Sequence, residues 1–91
     1  MTYTRDRLHE LLGDDEAPAH LLDPVAFDAA VIGVCERAGG MRVAAYDRTM
    51  VIDVLARDMP REEAEEWFEF NILPAYMGEG TPVFIDMRPM E

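Results

Sequence analysis

Lysine is absent from this 91-residue chain, cysteine occurs once and histidine twice, and no apolar run approaches the ~20 residues of a membrane span. Each shortage excludes something. A single thiol, Cys35, leaves no internal disulfide framework and no thiolate zinc site, and in its apolar surroundings it is expected to pack as a small hydrophobe. His9-Glu10 opens a string like that of the zinc proteases, but the second histidine needed four residues on is replaced by Gly13. No metal and no cofactor are therefore expected. Cations are scarce, with 8 Arg against 19 Asp and Glu and a formal net charge of -11. Direct binding of nucleic acid or of an anionic membrane needs clustered cations, so neither is expected as the main activity. The opening MTYTRDRLHELL has no apolar signal-peptide core, and a cytoplasmic location is expected.

What is present describes one small α+β domain over residues 1–91. Hydrophobic residues make up 49% and charged residues 30%, the balance of a folded globule rather than a disordered chain. Residues 4–12 read as a helix capped by Thr4, with Leu8, Leu11 and Leu12 on one side; a loop follows to residue 24. The apolar run 29–36 and the segment 41–46 flank Gly39-Gly40, which predicts a hairpin over about 29–46. A helix through Ala29–Ala38 is the rival reading. Asp47 is placed to cap a helix over about 48–58, with Met50, Val51, Val54 and Leu55 as its stripe. Pro60 suits the first turn of the next helix, whose inward face is expected to hold Ala64, Trp67, Phe68, Asn71 and Ala75 until Pro74 ends or kinks it. The expected tight turn Gly78–Pro82, with positive φ at Gly78 or Gly80, leads into a final edge strand 83–86. The expected architecture is a two-layer domain: a three-stranded, mainly antiparallel sheet packed against two or three helices.

The segment from Ala45 to Ile85 carries EEAEEWFEFN at 62–71 and MGEGTPVF at 77–84. In this it resembles a family of small, mostly uncharacterised proteins of tailed phages and prophages. Their shared core pairs an EEA…(W/Y)FEFN helix with a GE-x-TP-(V/I)-F segment. With Val31–Val34 included, the resemblance covers about 60 of the 91 residues and leaves out residues 1–24. Pro60 stands where family members often have a capping Ser or Thr. The resemblance implies a phage context and carries no catalytic residue onto this chain.

No enzymatic constellation has recognisable spacing. Gly78-Glu79-Gly80-Thr81 lacks the following helix and the cation of a phosphate loop. The feature that remains is charge. Residues 62–91 hold one Arg against eight acids, and Glu62, Glu65, Glu66 and Glu69 recur at helical spacing with Glu63 beside them. Such neighbours repel by a few tenths of a kcal/mol per pair, and only Arg61, beside Glu65, offers local relief. Most acidic helix faces serve solubility; a phage context points instead to mimicry, because phages encode many small acidic inhibitors of host nucleic-acid machinery. The candidate partner-binding residues are thus Glu62, Glu63, Glu65, Glu66 and Glu69, extended by Asp14, Asp15 and Glu16 in the N-terminal loop. The expected activity is non-enzymatic inhibition of a host defence protein of anti-CRISPR or anti-restriction type, through a surface that imitates DNA. The expected partner is a host protein with a basic nucleic-acid-binding surface. The alternatives are an accessory phage protein that assembles through apolar surface such as Phe70, Tyr76 and Met77, a homodimer among them, and a small enzyme or nucleotide-binding protein.

Overall fold

The computed structural model describes residues 3–12, 19–22, 24–39, 41–75 and 78–89. Helix α1 spans Arg5–Leu12. The Thr4 hydroxyl accepts the backbone N–H of Arg7 at 3.1 Å, as an N-cap should. Leu8 and Leu12, one turn apart, are buried in the core. A 3-10 segment, Val25–Ala30, then leads directly into strand β1, Val31–Glu36. The expected hairpin therefore starts at residue 31, because Ala29 and Ala30 are still in that helical turn; no helix runs on through Ala38.

Strand β2, Arg42–Asp47, pairs antiparallel with β1 from Val31–Tyr46 to Glu36–Arg42. The Arg37 N–H donates to the Met41 carbonyl at 2.8 Å, and Gly39 takes φ +94° in the turn, where a Cβ would be strained. The register slips by one residue between Val31 and Gly33, so Ile32 bulges from the edge of the sheet. Strand β3, Val83–Ile85, pairs with β2 in parallel, Ala45 with Val83 through Asp47 with Ile85. It lies at the other edge, in the order β1-β2-β3, directly after Pro82. Gly78 holds the positive φ, +85°, that starts the approach. The sheet is thus antiparallel in its hairpin and parallel at its last strand. A parallel neighbour needs a long crossover, which helices α2 (Arg48–Leu55) and α3 (Arg61–Trp67) supply.

Asp47 caps α2, its Oδ1 accepting from the N–H groups of Thr49 at 2.9 Å and Met50 at 3.2 Å. The buried residues of α2 are Val51 and Ile52, with Val54 and Leu55 packed against them. Met50, expected inside, is exposed, and the helix stops three residues short of the expected 58. From the sheet, Ala44 and Tyr46 join Leu8, Phe27, Ile52 and Phe68 in one apolar cluster. Phe84 stacks on Tyr46 at 5.7 Å and meets Phe68 edge-on at 5.1 Å. The Tyr46 hydroxyl accepts the Leu22 N–H at 2.9 Å, so its polar end is satisfied within the fold.

One charged pair is built into this core. Asp28 is buried, and its carboxylate accepts two hydrogen bonds from Arg5, both at 3.0 Å. Arg5 also donates to the Leu22 carbonyl at 3.1 Å, tying α1, the following loop and the 3-10 segment together.

Candidate functional site

Helix α3 begins after Pro60, whose carbonyl accepts the Ala64 N–H at 2.9 Å. Glu62 and Glu63 lie in its first turn, where the helix dipole favours anions. Ala64 and Phe68, four residues apart, are fully buried and fix the inward direction. Beyond Trp67 the helix widens into a π turn over Phe68–Ile72, in which the Leu73 N–H reaches back to the Phe68 carbonyl at 2.8 Å. Pro74 comes next, with no N–H to continue an ordinary α ladder and a ring that crowds the carbonyl four residues before it. The extra residue in the turn rotates the side chains beyond it. Ile72, not Asn71, packs on the core after Phe68, and Asn71 is exposed.

The expected inward face is corrected on both sides of this turn: beyond it by the rotation, and before it because Trp67 lies about 100° round the helix from the buried Phe68. Trp67 is 50% exposed, and Ala75 is also exposed, whereas Phe68 is completely buried. Phe70 is 76% exposed and Leu73 lies half open. A spacing signal for this existed. Trp67, Phe68 and Phe70 point in three directions around a helix, and a helix on the surface of a small domain buries only one stripe.

All five glutamates of the helix are exposed, but they are not equivalent. Arg48, from the start of α2, pairs with Glu69 at 2.9 Å while its guanidinium sits 5.1 Å from the centre of the Phe68 ring. Arg61 pairs with Asp53 and lies 3.8 Å from Glu65. The expectation that Arg61 alone relieves this acidic row is therefore incomplete, because Arg48 is 21 residues away in sequence and arrives through the fold. Glu62, Glu63 and Glu66 form no ion pair among the described residues. Glu69 is engaged with Arg48. Asp14, Asp15 and Glu16 lie outside the described residues, as do Tyr76 and Met77.

Trp67 borders two depressions. One is a cavity of about 300 Å³ walled by Leu22, Phe27, Leu55 and Met59, with Asp58 as its one ionisable lining residue among the described residues. The other is a hollow of about 170 Å³ formed with Glu63, Glu66, Phe70 and Asn71. Apolar surface and unpaired carboxylates thus alternate along one flank of the helix. Asp58, in the turn that follows α2, is an acid that helical spacing along 62–69 does not bring into view.

The remaining candidates are accounted for by the fold. The Thr81 hydroxyl donates to the Gly78 carbonyl at 2.6 Å, and His20 donates its backbone N–H to the Gly80 carbonyl at 2.9 Å, so the 78–82 turn is held internally. Cys35 is half-buried in β1, and His9 and His20 are exposed. Among the described residues no group of three or more His, Cys, Asp or Glu is placed to hold a metal ion. No helix among them is long and apolar enough to cross a membrane. After β3, Arg88 clasps Asp86 through its side chain and backbone N–H, which holds the Asp86 carboxyl well below the usual carboxylate range. No family profile, curated protein or solved structure gives a significant match to the chain.

Proposed function

We propose that this chain is a phage-encoded, non-enzymatic inhibitor that binds a host nucleic-acid-binding defence protein, of anti-CRISPR or anti-restriction type. In this reading the carboxylates of α3 take the place of phosphates against a basic groove. The observation that carries it is the division among the glutamates: Glu65 and Glu69 have arginine partners, while Glu62, Glu63 and Glu66 stand exposed with none among the described residues. Glu62 and Glu66 are one helical turn apart, so their repulsion is retained where a single Arg would remove it. A net charge of -11 adds long-range steering toward a cationic partner. The resemblance of residues 45–85 to phage proteins supports the cellular setting.

The test is a double charge reversal, Glu62→Arg with Glu66→Arg, against a partner captured from host lysate and identified by mass spectrometry. Two interfacial charge pairs at ~1.5 kcal/mol each correspond to a loss of at least ~100-fold in affinity. Folding should change by no more than about 1 kcal/mol: the two new arginines attract Glu63, Glu65 and Glu69, but they still repel each other, and one enters the first turn, where the dipole disfavours a cation. Equal affinities at ~0.15 M salt, with matching melting curves, would reduce these carboxylates to a solubility device. Exposed Trp67 and Phe70 favour a second reading, an accessory protein that assembles through apolar contact. A salt titration separates the two, since charge mimicry weakens steeply with salt and apolar contact does not.

A further inference from the structure

The flank of α3 around Trp67 combines two features that constrain its occupant together. The cavity between Trp67 and Met59 is apolar and open to the surface, and Phe70 beside it is three-quarters exposed. Asp58 borders the cavity, and Glu63 and Glu66 border the adjoining hollow. None of these three carboxylates has an ion-pair partner among the described residues. An uncharged apolar ligand covering the flank would strip water from the carboxylates and return nothing. A second copy of the chain would bring the same carboxylates and another charge of -11. Nucleic acid and anionic bilayers are repelled for the same reason. The occupant needs an apolar anchor for the cavity and cations for the border.

Backbone chemistry selects its conformation. Beyond its first turn the flank belongs to a helix whose N–H and C=O groups bond within the helix, so an extended segment would find no ladder to join there. A helix arrives with its backbone already satisfied and presents anchors at i, i+3 or i+4, and i+7. From Arg61 to Ile72 the helix and π turn run about 18 Å, room for about three turns of a docked helix.

We propose that the Trp67 flank docks a cationic amphipathic helix of the partner protein. One large aliphatic or aromatic side chain enters the cavity between Trp67 and Met59, and Arg or Lys residues flanking it face Asp58, Glu63 and Glu66. The inference deepens the function proposed above and rests on it in taking the unpaired carboxylates as partner-facing.

Trp67 is the only tryptophan in the chain, so its emission reports on this flank alone. The full chain is titrated with a tryptophan-free Leu/Lys/Arg peptide of about 18 residues, roughly five helical turns. A second peptide has the same composition, scrambled to remove the apolar stripe. The expected result is saturable binding of the first peptide with a blue shift of Trp67 emission, at least ~10-fold tighter than the scrambled one. Calorimetry of Trp67→Ala and of Phe70→Ser, each checked for folding by circular dichroism, should show losses of at least ~10-fold, as for an interface anchor. Equal affinity for both peptides with no blue shift would mean that charge alone acts; it overturns this inference and leaves the proposed function standing. Binding of neither peptide overturns both. A blue shift that grows with concentration of the protein alone, with a matching rise in mass by sedimentation, would assign the flank to a second copy and overturn the inference.

Discussion

Two charged regions of this small domain behave in opposite ways. At the N-terminal side, Arg5 and Asp28 meet inside the fold through two 3.0 Å hydrogen bonds. On α3, Glu62, Glu63 and Glu66 stay exposed without an ion-pair partner among the described residues, beside an exposed tryptophan and phenylalanine. A buried carboxylate must be matched, because an uncompensated charge in the interior costs several kcal/mol. A solvated carboxylate carries no such obligation, so its arrangement is free to answer to something outside the chain. The same contrast appears between adjacent residues: Phe68 serves the core and Trp67 the surface.

The largest effect expected from breaking this contrast is at Phe68. It is fully buried against Phe84 and Arg48, and Phe68→Ala should cost ~3–5 kcal/mol, comparable to the whole stability of many small domains. Denaturant titration measures this; an unchanged midpoint would mean that α3 is turned differently. Next comes Arg5→Ala, which leaves Asp28 buried without its cation. A loss of about 2–3 kcal/mol is expected, below the cost at a fully enclosed pair because the Arg5 side chain keeps some solvent contact. Asp28→Asn should cost less, since it leaves no buried charge. If both variants melt like the parent, the pair is no more structural than the exposed acids. Trp67→Ala should change stability by about 1 kcal/mol at most while removing peptide binding, the reverse of Phe68→Ala.

The smallest effect belongs to the exposed Asp86–Arg88 pair. The folded carboxyl pKa lies below its unfolded value of about 3.9, so the pair contributes above that pH. The contribution fades as pH falls through the lowered folded value. Asp86→Asn should therefore leave the melting temperature near pH 7 almost unchanged and flatten the acid limb of its pH profile only slightly, because solvent screens both partners. A large drop at neutral pH would show that the C-terminal segment is anchored more firmly than its exposure suggests.

Much of the fold was legible where one local rule decides an element. Thr4 and Asp47 cap their helices, Gly39 and Gly78 take the left-handed conformation, and Pro82 stands directly before an edge strand. The errors cluster where a longer-range effect intervenes. Periodicity places Asn71 inside, but the π turn next to Pro74 adds a residue and puts Ile72 there instead. The acidic row was visible as a repeat, yet its division into paired and unpaired carboxylates was not, because Arg48 reaches Glu69 only after α2 packs beside α3. Asp58 and the cavity were invisible for the same reason: their parts come from the loop before β1, the end of α2 and the outer side of α3.

The amino-acid sequence by itself determined that this is one small acidic α+β domain, with a hairpin, two consecutive helices and a final strand. Those features arise from side-chain period, caps and turn residues, which act within a few positions along the chain. Only the tertiary structure decided which carboxylates have partners, that Trp67 faces outward while Phe68 faces in, and that β3 runs parallel to β2. Each of these depends on groups far apart in sequence being packed together, where burial and the reach of an arginine set the outcome.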